Sequence, residues 1–530
     1  MNEMVFPTGT TAQRHSWRLV LRPRTAIIVL LLIMSVAPIW LVRYPPLQDY
    51  PDLLMQGAIL THWGDASLGL QDLFSLKLVP VPRLAALSLL YLFGQVFEPE
   101  IAGKLTISVY LLVFPLSVFY LIRSSQRRET SAELAGFLVT YNFWFFQGSI
   151  DYLLAMAVAF CAMGFVIRFW DSFSLPHVLA VIGFSILCYF SHLMGYLAFT
   201  MIVGLLWVAT PGRRWERVPM LAAAVLPGLA LFIWYFLTTS GTSVSSAAFV
   251  TSLANKLFAF VMPLLVFFRF EPFATPLPIT LANLTLWIAL AAIVVSSLDR
   301  RKLVLSPHLL AVGMAVIMII LVAPVRIGSL WRFDDRLVLA AYLLLLAGLN
   351  FRSATLRLDL LYVLLAACIF FLQVVQMQVP SSHLAQFNNA AALLVARDGN
   401  ATVAVTVRGQ PITPGCHQKS GDAYSIAIFP SIRFPIYSLL QAHRFKYGSL
   451  FGVALLNRRN SSVPPDLIVY DVLREGLHEF LNSIGGPGAA EWNTIQAFGC
   501  ASDLQVVKSA FPAYAMAYQQ DGVLLLVERE

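Results

Sequence analysis

Charged residues are scarce in this chain of 530 residues. Asp, Glu, Lys and Arg together make up 12% of it, whereas hydrophobic residues make up 58%. A water-soluble protein usually carries charge on about 25% of its residues, because its surface must be covered by polar groups. The shortage of charge therefore excludes an ordinary soluble protein.

Acidic residues are scarcer than basic ones, at 28 Asp and Glu against 36 Lys and Arg. The resulting net charge of +8 does not imply a nucleic-acid partner, because basic cytoplasmic loops of membrane proteins give the same balance. Apolar runs of about 20 residues, each long enough to cross a bilayer, recur from about Thr25 to about Gln378. The sequence predicts a polytopic α-helical membrane protein with no nucleic-acid partner.

Several catalytic signatures are missing. The chain has no phosphate-binding GxxxxGK loop, no HExxH and no GxSxG, which argues against nucleotide hydrolysis, zincin chemistry and an α/β-hydrolase. It has no Cys-x-x-Cys or His-x-x-x-His pair either, so we predict no metal site. A cofactor is not indicated by the spacing of any ligand set.

The short loops rich in Arg and Lys define a topology. Under the positive-inside rule they all lie in the cytoplasm if the short apolar piece Pro82–Phe97 rests in the outer interface instead of crossing. Ala254–Phe270, interrupted by Pro263, receives the same interpretation. The basic residues are Arg123, Arg127, Arg128, Arg213, Arg214, Arg217, Arg300, Arg301, Lys302, Arg352 and Arg357.

About 11 crossings remain, as expected for a multi-pass protein of the inner (plasma) membrane with a cytoplasmic N-terminus. They are predicted near residues 25–42, 101–122, 132–147, 150–169, 177–191, 193–210, 219–238, 279–298, 306–323, 336–351 and 358–378.

The same topology predicts three parts. Residues 1–24 form a cytoplasmic tail, and residues 25–379 form a transmembrane domain with outer loops at 43–100 and 239–278. Residues 380–530 are more polar and are predicted to form an extracytoplasmic α/β domain. Its predicted elements are strands at Thr402–Val407, Leu467–Tyr470 and Val523–Val527 and an amphipathic helix at Val472–Ile484.

Only five cysteines occur, and three of them, Cys161, Cys188 and Cys368, fall in predicted crossings as small core residues. Cys416 and Cys500 are the two in the C-terminal part. In an oxidising outer compartment they have one possible pairing, which we predict as a disulfide. The alternative is two free, buried thiols.

Ionisable residues collect at the predicted outer ends of the crossings, where they are costly and usually have a partner or a role. In the stretch PPLQDYPDLLMQ, Pro51 predicts a helix start, Asp49 precedes that helix, and Asp52 lies in its first turn, where the helix dipole favours an acid. His192 is interpreted as a packed, hydrogen-bonded polar group. The others are Lys77, Arg83, Lys104, Asp151, Arg326, Arg332 and Arg336.

The chain resembles the GT-C superfamily of integral-membrane glycosyltransferases, which includes protein O-mannosyltransferases and aminoarabinose transferases. The resemblance lies in an acid soon after the first crossing, Asp49 in LQDYPDL, and in an interfacial helix ending at Phe93-Gly94. It continues with a basic residue, Lys104, that opens the next crossing, and a second acid, Asp151, in FFQGSIDYLL. Tyr50-Pro51 stands where relatives carry further charged residues, so the resemblance names neither the sugar nor the acceptor.

The resemblance implies transfer, with inversion, of a sugar from a polyprenyl-phosphate-linked donor to a lipid, glycan or protein acceptor on the outer face of the membrane. Asp49 would then be the base for the acceptor hydroxyl, with Asp151 as a second acid. Arg332 and Arg336 would hold the donor phosphate, with Lys104 and Arg83 as further candidates. GT-C relatives differ in their use of a divalent cation, so that requirement stays open.

Two other interpretations remain. A transporter or lipid-sugar flippase would also combine many crossings with buried charges, although such proteins tend to show inverted repeats and interrupted helices at the midplane. A non-catalytic assembly or sensor protein would use the outer domain to bind a glycan. For WRFDDR, the alternative to phosphate binding is Arg–Asp pairing that caps a crossing.

Overall fold

The computed structural model is mostly helical. It describes residues 23–76, 79–210, 215–239, 253–270, 277–324, 326–327, 330–398, 402–408, 427–428, 456–458, 467–473, 494–498, 501–511, 514–520 and 523–528.

Seventeen α-helices lie within these residues. The first eight are Pro23–Leu41 (α1), Tyr50–Thr61 (α2), Leu70–Leu73 (α3), Leu84–Gly94 (α4), Pro99–Gln126 (α5), Ala135–Leu138 (α6), Phe143–Phe146 (α7) and Ile150–Phe169 (α8). The others are Leu175–Ser191 (α9), Leu193–Ala209 (α10), Val218–Thr239 (α11), Leu253–Val261 (α12), Ile279–Ser297 (α13), Pro307–Val322 (α14), Val338–Gly348 (α15), Leu356–Asp398 (α16) and Ala501–Ala510 (α17).

Six described helices are long and apolar enough to cross a membrane, namely α1, α5, α8, α11 with the turn before it, α13 and α16. Helix α8 is central, with 78% of its apolar stretch buried, whereas only 17% of that of α13 is buried. The exposed Leu281, Leu284 and Ile288 of α13 therefore suit contact with lipid. A polytopic helical membrane protein is the right class, and the number of about 11 crossings stays a prediction.

Several of the predicted basic segments, among the residues that the structure describes, lie together at one end of the helical bundle, which we call the basic end. Arg24 at the start of α1 forms an ion pair with Glu133, and Arg123 near the end of α5 pairs with the same carboxylate. Arg128 donates to Asn350 Oδ1 at 2.8 Å, which brings the loop after α15 to the same end. The gathering agrees with the predicted topology, while the side of the membrane that this end faces stays a prediction.

The predicted crossing at 132–147 is wrong as a single helix. The segment is a 3-10 turn at Ser131–Leu134, then the four-residue helices α6 and α7, separated where Asn142 accepts hydrogen bonds from the backbone of Trp144 and Phe145. An asparagine at this position favours a helix start over continuation of a helix.

The interrupted segment nevertheless runs the length of the bundle. The carbonyl of Thr130, just before the segment, accepts from Arg24 at the basic end, and Tyr141 donates to the carbonyl of Ser35 within α1. At the far end the carbonyl of Phe146 accepts from the backbone of Gln48 at 3.0 Å. Such broken backbone is tolerated at membrane depth only where protein surrounds it, and nearly all of this segment is buried.

The C-terminal part contains a five-stranded sheet. Its strands are Thr402–Arg408 (β5), Leu467–Leu473 (β8), Thr494–Phe498 (β9), Tyr514–Gln520 (β10) and Val523–Glu528 (β11), in the order β10-β11-β9-β5-β8. β5 is parallel to β8 and β9, and the other pairs are antiparallel. The three predicted strands are confirmed, and β8 occupies the first two residues of the predicted helix at 472–484.

Short strands tie this part to the predicted outer loops. Phe74–Leu76 (β1) pairs antiparallel with Leu456–Arg458 (β7), and Arg269–Phe270 (β2) pairs parallel with Ala427–Ile428 (β6). A last hairpin joins Arg326–Ile327 (β3) to Leu330–Trp331 (β4). Division of the chain into domains at residue 380 stays a prediction. Lys77, Cys416 and Cys500 lie outside the described residues, so the predicted Cys416–Cys500 disulfide does too.

Candidate anion and acid site

Asp49 lies at the end of the bundle opposite the basic end. Its backbone N–H donates to the carbonyl of Gln147 at 3.0 Å, and the Gln147 side chain donates to Asp49 Oδ2 at 3.1 Å. Gly148 makes this approach possible, because its φ is +81° and a Cβ there would lie 2.5 Å from the Tyr50 nitrogen. Helix α2 begins at Tyr50, one residue earlier than the Pro51 start predicted, and Asp49 is its N-cap and is half-buried.

Three carboxylates surround Arg83. Asp151, which is 3% exposed, forms an ion pair with the Arg83 Nε and contributes most to the raised pKa of that guanidinium. Asp52 and Asp49 raise it further, so both lie near the same charge. Asp52 also accepts from the Gln56 amide at 2.8 Å and is buried.

The backbone at Arg83 is strained, with a φ of 121° that a residue with a Cβ rarely adopts. Its N–H donates to the carbonyl of Phe190 at 3.1 Å, and its side chain is 39% exposed while bound to Asp151. Strained conformations of this kind persist only where surrounding contacts hold them. Arg83 therefore links α4 to the α8 and α9 ends in one fixed arrangement.

Arg332 and Arg336 lie on the aromatic faces of helix α7. The Arg332 guanidinium is 4.7 Å from the ring centre of Phe143, and that of Arg336 is 4.9 Å from Trp144. Arg336 also lies 5.1 Å from the Tyr152 ring. A cation is attracted to an aromatic face, so these rings hold both guanidinium groups in place.

Arg336 differs from most partly buried cations. Within the described residues no carboxylate forms an ion pair with it, and its Nε has no hydrogen-bond partner. Arg332 lies 3.9 Å from Asp335 Oδ2, a longer contact than a direct hydrogen bond. The predicted alternative of Arg–Asp capping therefore describes Arg332 better than Arg336.

His192 lies between α9 and α10 and is 6% exposed. Its Nδ1 accepts from the Met194 N–H at 3.0 Å, and its Nε2 lies 3.3 Å from the Arg336 Nη1. Burial lowers the pKa of His192 to about 3, against the opposite effect of Asp151. It is thus the packed, hydrogen-bonded residue that the sequence predicted, with an additional contact to Arg336.

Asp334 and Asp335 are both fully buried beside these arginines. Asp334 pairs with Lys256, whose ammonium also donates to the carbonyl of Ala323 at 2.6 Å at the end of α14. Neither carboxylate oxygen of Asp335 has a hydrogen-bond partner within the described residues. Burial raises the pKa of Asp335 to about 7, although Arg332 lowers it.

Lys104 lies at the same end but is held by α1. Its ammonium donates to the carbonyl of Val42 at 2.7 Å and lies 5.8 Å from the Trp40 ring, so its described contacts are with the end of α1. The structure brings Asp49, Asp52, Arg83, Asp151, His192, Arg332 and Arg336 to one end, and it places Lys104 beside them without a described contact to the arginines.

The aromatic residues are the part of the site that the sequence interpretation missed. Asn142 caps α7 and is followed directly by Phe143 and Trp144, which contact the arginines. A capping residue ahead of four aromatic residues was the available signal, but the apolar character of the segment favoured a crossing instead.

In the part of the chain that the structure describes, no group of three or more His, Cys, Asp and Glu side chains is placed to hold a metal ion. The requirement for a divalent cation therefore stays open.

Comparisons with known proteins give a distant likeness. No family model matches the chain, and no curated protein matches it. The chain is similar to the crystal structure of ArnT from Cupriavidus metallidurans bound to undecaprenyl phosphate, with a TM-score of 0.49 and 9% identity over 95% of this chain and 97% of that one. A likeness at this level assigns no residue and no substrate.

Proposed function

We propose that the protein is a membrane glycosyltransferase that moves a sugar from a polyprenyl-phosphate-linked donor to an acceptor hydroxyl. The observation that carries the proposal is Arg336, a guanidinium without a described ion pair, held against Trp144 and Tyr152 at the end of the bundle where three acids gather. An unpaired charge taken from water is costly, and a bound anion offsets that cost.

The proposed reaction uses both charge types. The bond between the anomeric carbon and the phosphate oxygen breaks, and its electron pair stays on the phosphate. The acceptor oxygen attacks the opposite face of the sugar, which inverts that carbon, and its proton passes to Asp49. Each of Asp49 and Asp52 accepts from one glutamine amide, but Asp49 is half-buried whereas Asp52 is buried, so Asp49 suits this role better.

Arg336 would bind the donor phosphate in the ground state and in the transition state. Guanidinium groups suit phosphate because their paired N–H groups match its oxygens. Asp151 has a direct partner in Arg83, so its proposed role is to fix that cation beside the acceptor, as a second acid of the site.

The proposal also accounts for the place of the polar groups. They gather at one end of the bundle, whereas the substrate site of a secondary transporter lies near the midplane between repeats. The sugar and the acceptor are not named by this geometry.

The test is transfer of a labelled sugar from its polyprenyl phosphate carrier by the purified protein in detergent. Asp49→Asn should reduce transfer about a hundredfold or more, as expected for a lost general base, and leave expression unchanged. Asp52→Asn, the matched control, should be milder because asparagine can still accept from the Gln56 amide and the proton of the acceptor is not passed to this residue. It loses the charge near Arg83 and a helix-terminus effect of about 0.3–1 kcal/mol.

Arg336→Ala should weaken donor binding and turnover together, because the phosphate is charged throughout the reaction. Full activity of Asp49→Asn with loss in Asp52→Asn would show that the other acid is the base. Full activity of both would contradict the transferase interpretation, and sugar movement only in sealed vesicles would support a flippase.

A further inference from the structure

His192 has a hydrogen that no described acceptor takes. Since Nδ1 accepts from the Met194 N–H, the proton of the neutral ring lies on Nε2. That nitrogen faces the Arg336 Nη1 at 3.3 Å. Both groups are donors, so they cannot bond to each other.

Two donors this close define a place for an acceptor. Arg336 is held from one side by the Trp144 and Tyr152 rings, and Tyr152 also donates to the Arg336 carbonyl at 2.6 Å, which fixes the backbone. The Tyr152 ring packs edge-on against the imidazole, with ring centres 5.9 Å apart. These contacts hold the two donors side by side.

We propose that His192 Nε2–H and Arg336 bind the same phosphate oxygen, and that His192 stabilises the charge that develops on it as the sugar departs. The inference rests on the proposed function for its substrate. A sugar-linked phosphodiester carries one negative charge, and the phosphate released from it gains a second, held on the oxygen that receives the electron pair. A neutral donor aimed at that oxygen binds more strongly as the charge grows, so it acts on turnover. No proton is transferred from His192.

The first test is the kinetics of His192→Asn. Asparagine is a good N-cap, so its oxygen can still accept from Met194, but it lacks the donor that reaches Arg336. We expect kcat to fall about a hundredfold, with little change in KM for the donor, as found when one donor to a developing oxyanion is removed. Arg336→Gln should instead change both kcat and KM.

His177→Asn is the matched control. The Nδ1 of His177 accepts from the Ser174 N–H at 3.0 Å, and its ring lies against Phe169. It shares the backbone contact of His192 and faces no described arginine. This variant should keep the wild-type kcat. Equal decreases in kcat in His192→Asn and His177→Asn would show that loss of the helix-capping hydrogen bond explains the effect.

The second test does not need transfer. Binding of undecaprenyl phosphate in detergent micelles should weaken about tenfold or more in His192→Asn, because a hydrogen bond to a charged group is lost. If the wild-type protein binds this lipid but transfers no sugar, the proposed function is contradicted. The anion site formed by His192 and Arg336 is then still supported. Unchanged affinity and unchanged kcat in His192→Asn would overturn the role of His192, while the arginine site and the transferase proposal could still hold.

Discussion

Arg24 and Arg123 at the basic end and Arg336 at the other end are held in opposite ways. The end with Arg336 also contains ion pairs, Arg83–Asp151 and Lys256–Asp334. At the basic end, Arg24 lies 3.1 Å from Glu133 and 3.6 Å from Asp359, and Arg123 lies 3.0 Å from Glu133. At the other end, Arg336 meets aromatic rings and an imidazole, with no ion pair described. Closed networks hold helices together, whereas a cation left open is available to a ligand.

Glu133→Gln should lower the stability of the protein far more than a change at Arg336, and this is the largest difference that we expect between the two ends. Glu133 is completely buried and pairs with both Arg24 and Arg123. Without it these cations keep only the exposed Glu129 and, for Arg24, the 3.6 Å contact to Asp359, and loss of the buried partner should cost about 3 kcal/mol. Arg336→Gln breaks no ion pair and should change the unfolding midpoint little. Thermal unfolding in detergent measures the midpoint of both variants. Equal decreases would contradict the difference between the paired arginines of the basic end and Arg336.

Gly148→Ala should come next, because it acts on the acid side of the site through the backbone. A side chain at φ +81° costs about 1–3 kcal/mol, and the new Cβ would push against Tyr50 and move Asp49. Sugar transfer should fall with stability. Gly64→Ala is the control, since no atom of the described residues lies within 4 Å of a Cβ built there. An equally large loss in that variant would show that the close approach at Gly148 is not the cause.

The smallest expected effect is a pH dependence at Asp335. Its pKa of about 7 lies above the unfolded value, so its proton stabilises the fold at low pH, and that stabilisation is lost as pH rises from about 4 through 7. Ionised Asp335 also offsets the charge of Arg332 and Arg336. Donor affinity should therefore fall by about fivefold or less between pH 6 and 8.

Asp335→Asn should remove that decline. Comparison of the two proteins with the same donor cancels any titration of the donor itself. The same decline in both would show that a different group titrates.

Local chemistry in the sequence predicted part of this site. Pro51 predicted the start of α2 and hence the places of Asp49 and Asp52, because proline favours the first turn of a helix. The basic loops predicted which helix ends lie together, because the charge of a loop can be read without knowing the course of the helices between the loops. These arguments need only neighbouring residues.

The remaining part depends on contacts far apart in the chain. Hydropathy counts apolar residues and does not distinguish a continuous helix from α6 and α7 buried among neighbours, so the segment around Asn142 was assigned as one crossing. The contact of His192 with Arg336 joins residues 144 positions apart. No pattern in either stretch could indicate it.

The pairing of β1 with β7 has a consequence for synthesis. Leu76 and its partner Leu456 are separated by about 380 residues, so the ribosome needs roughly 20 to 80 s to deliver the second strand after the first. Throughout that interval Phe74–Leu76 is a strand edge without its partner, open to pairing with another nascent chain. A strand made late in synthesis thus closes an edge that was made early.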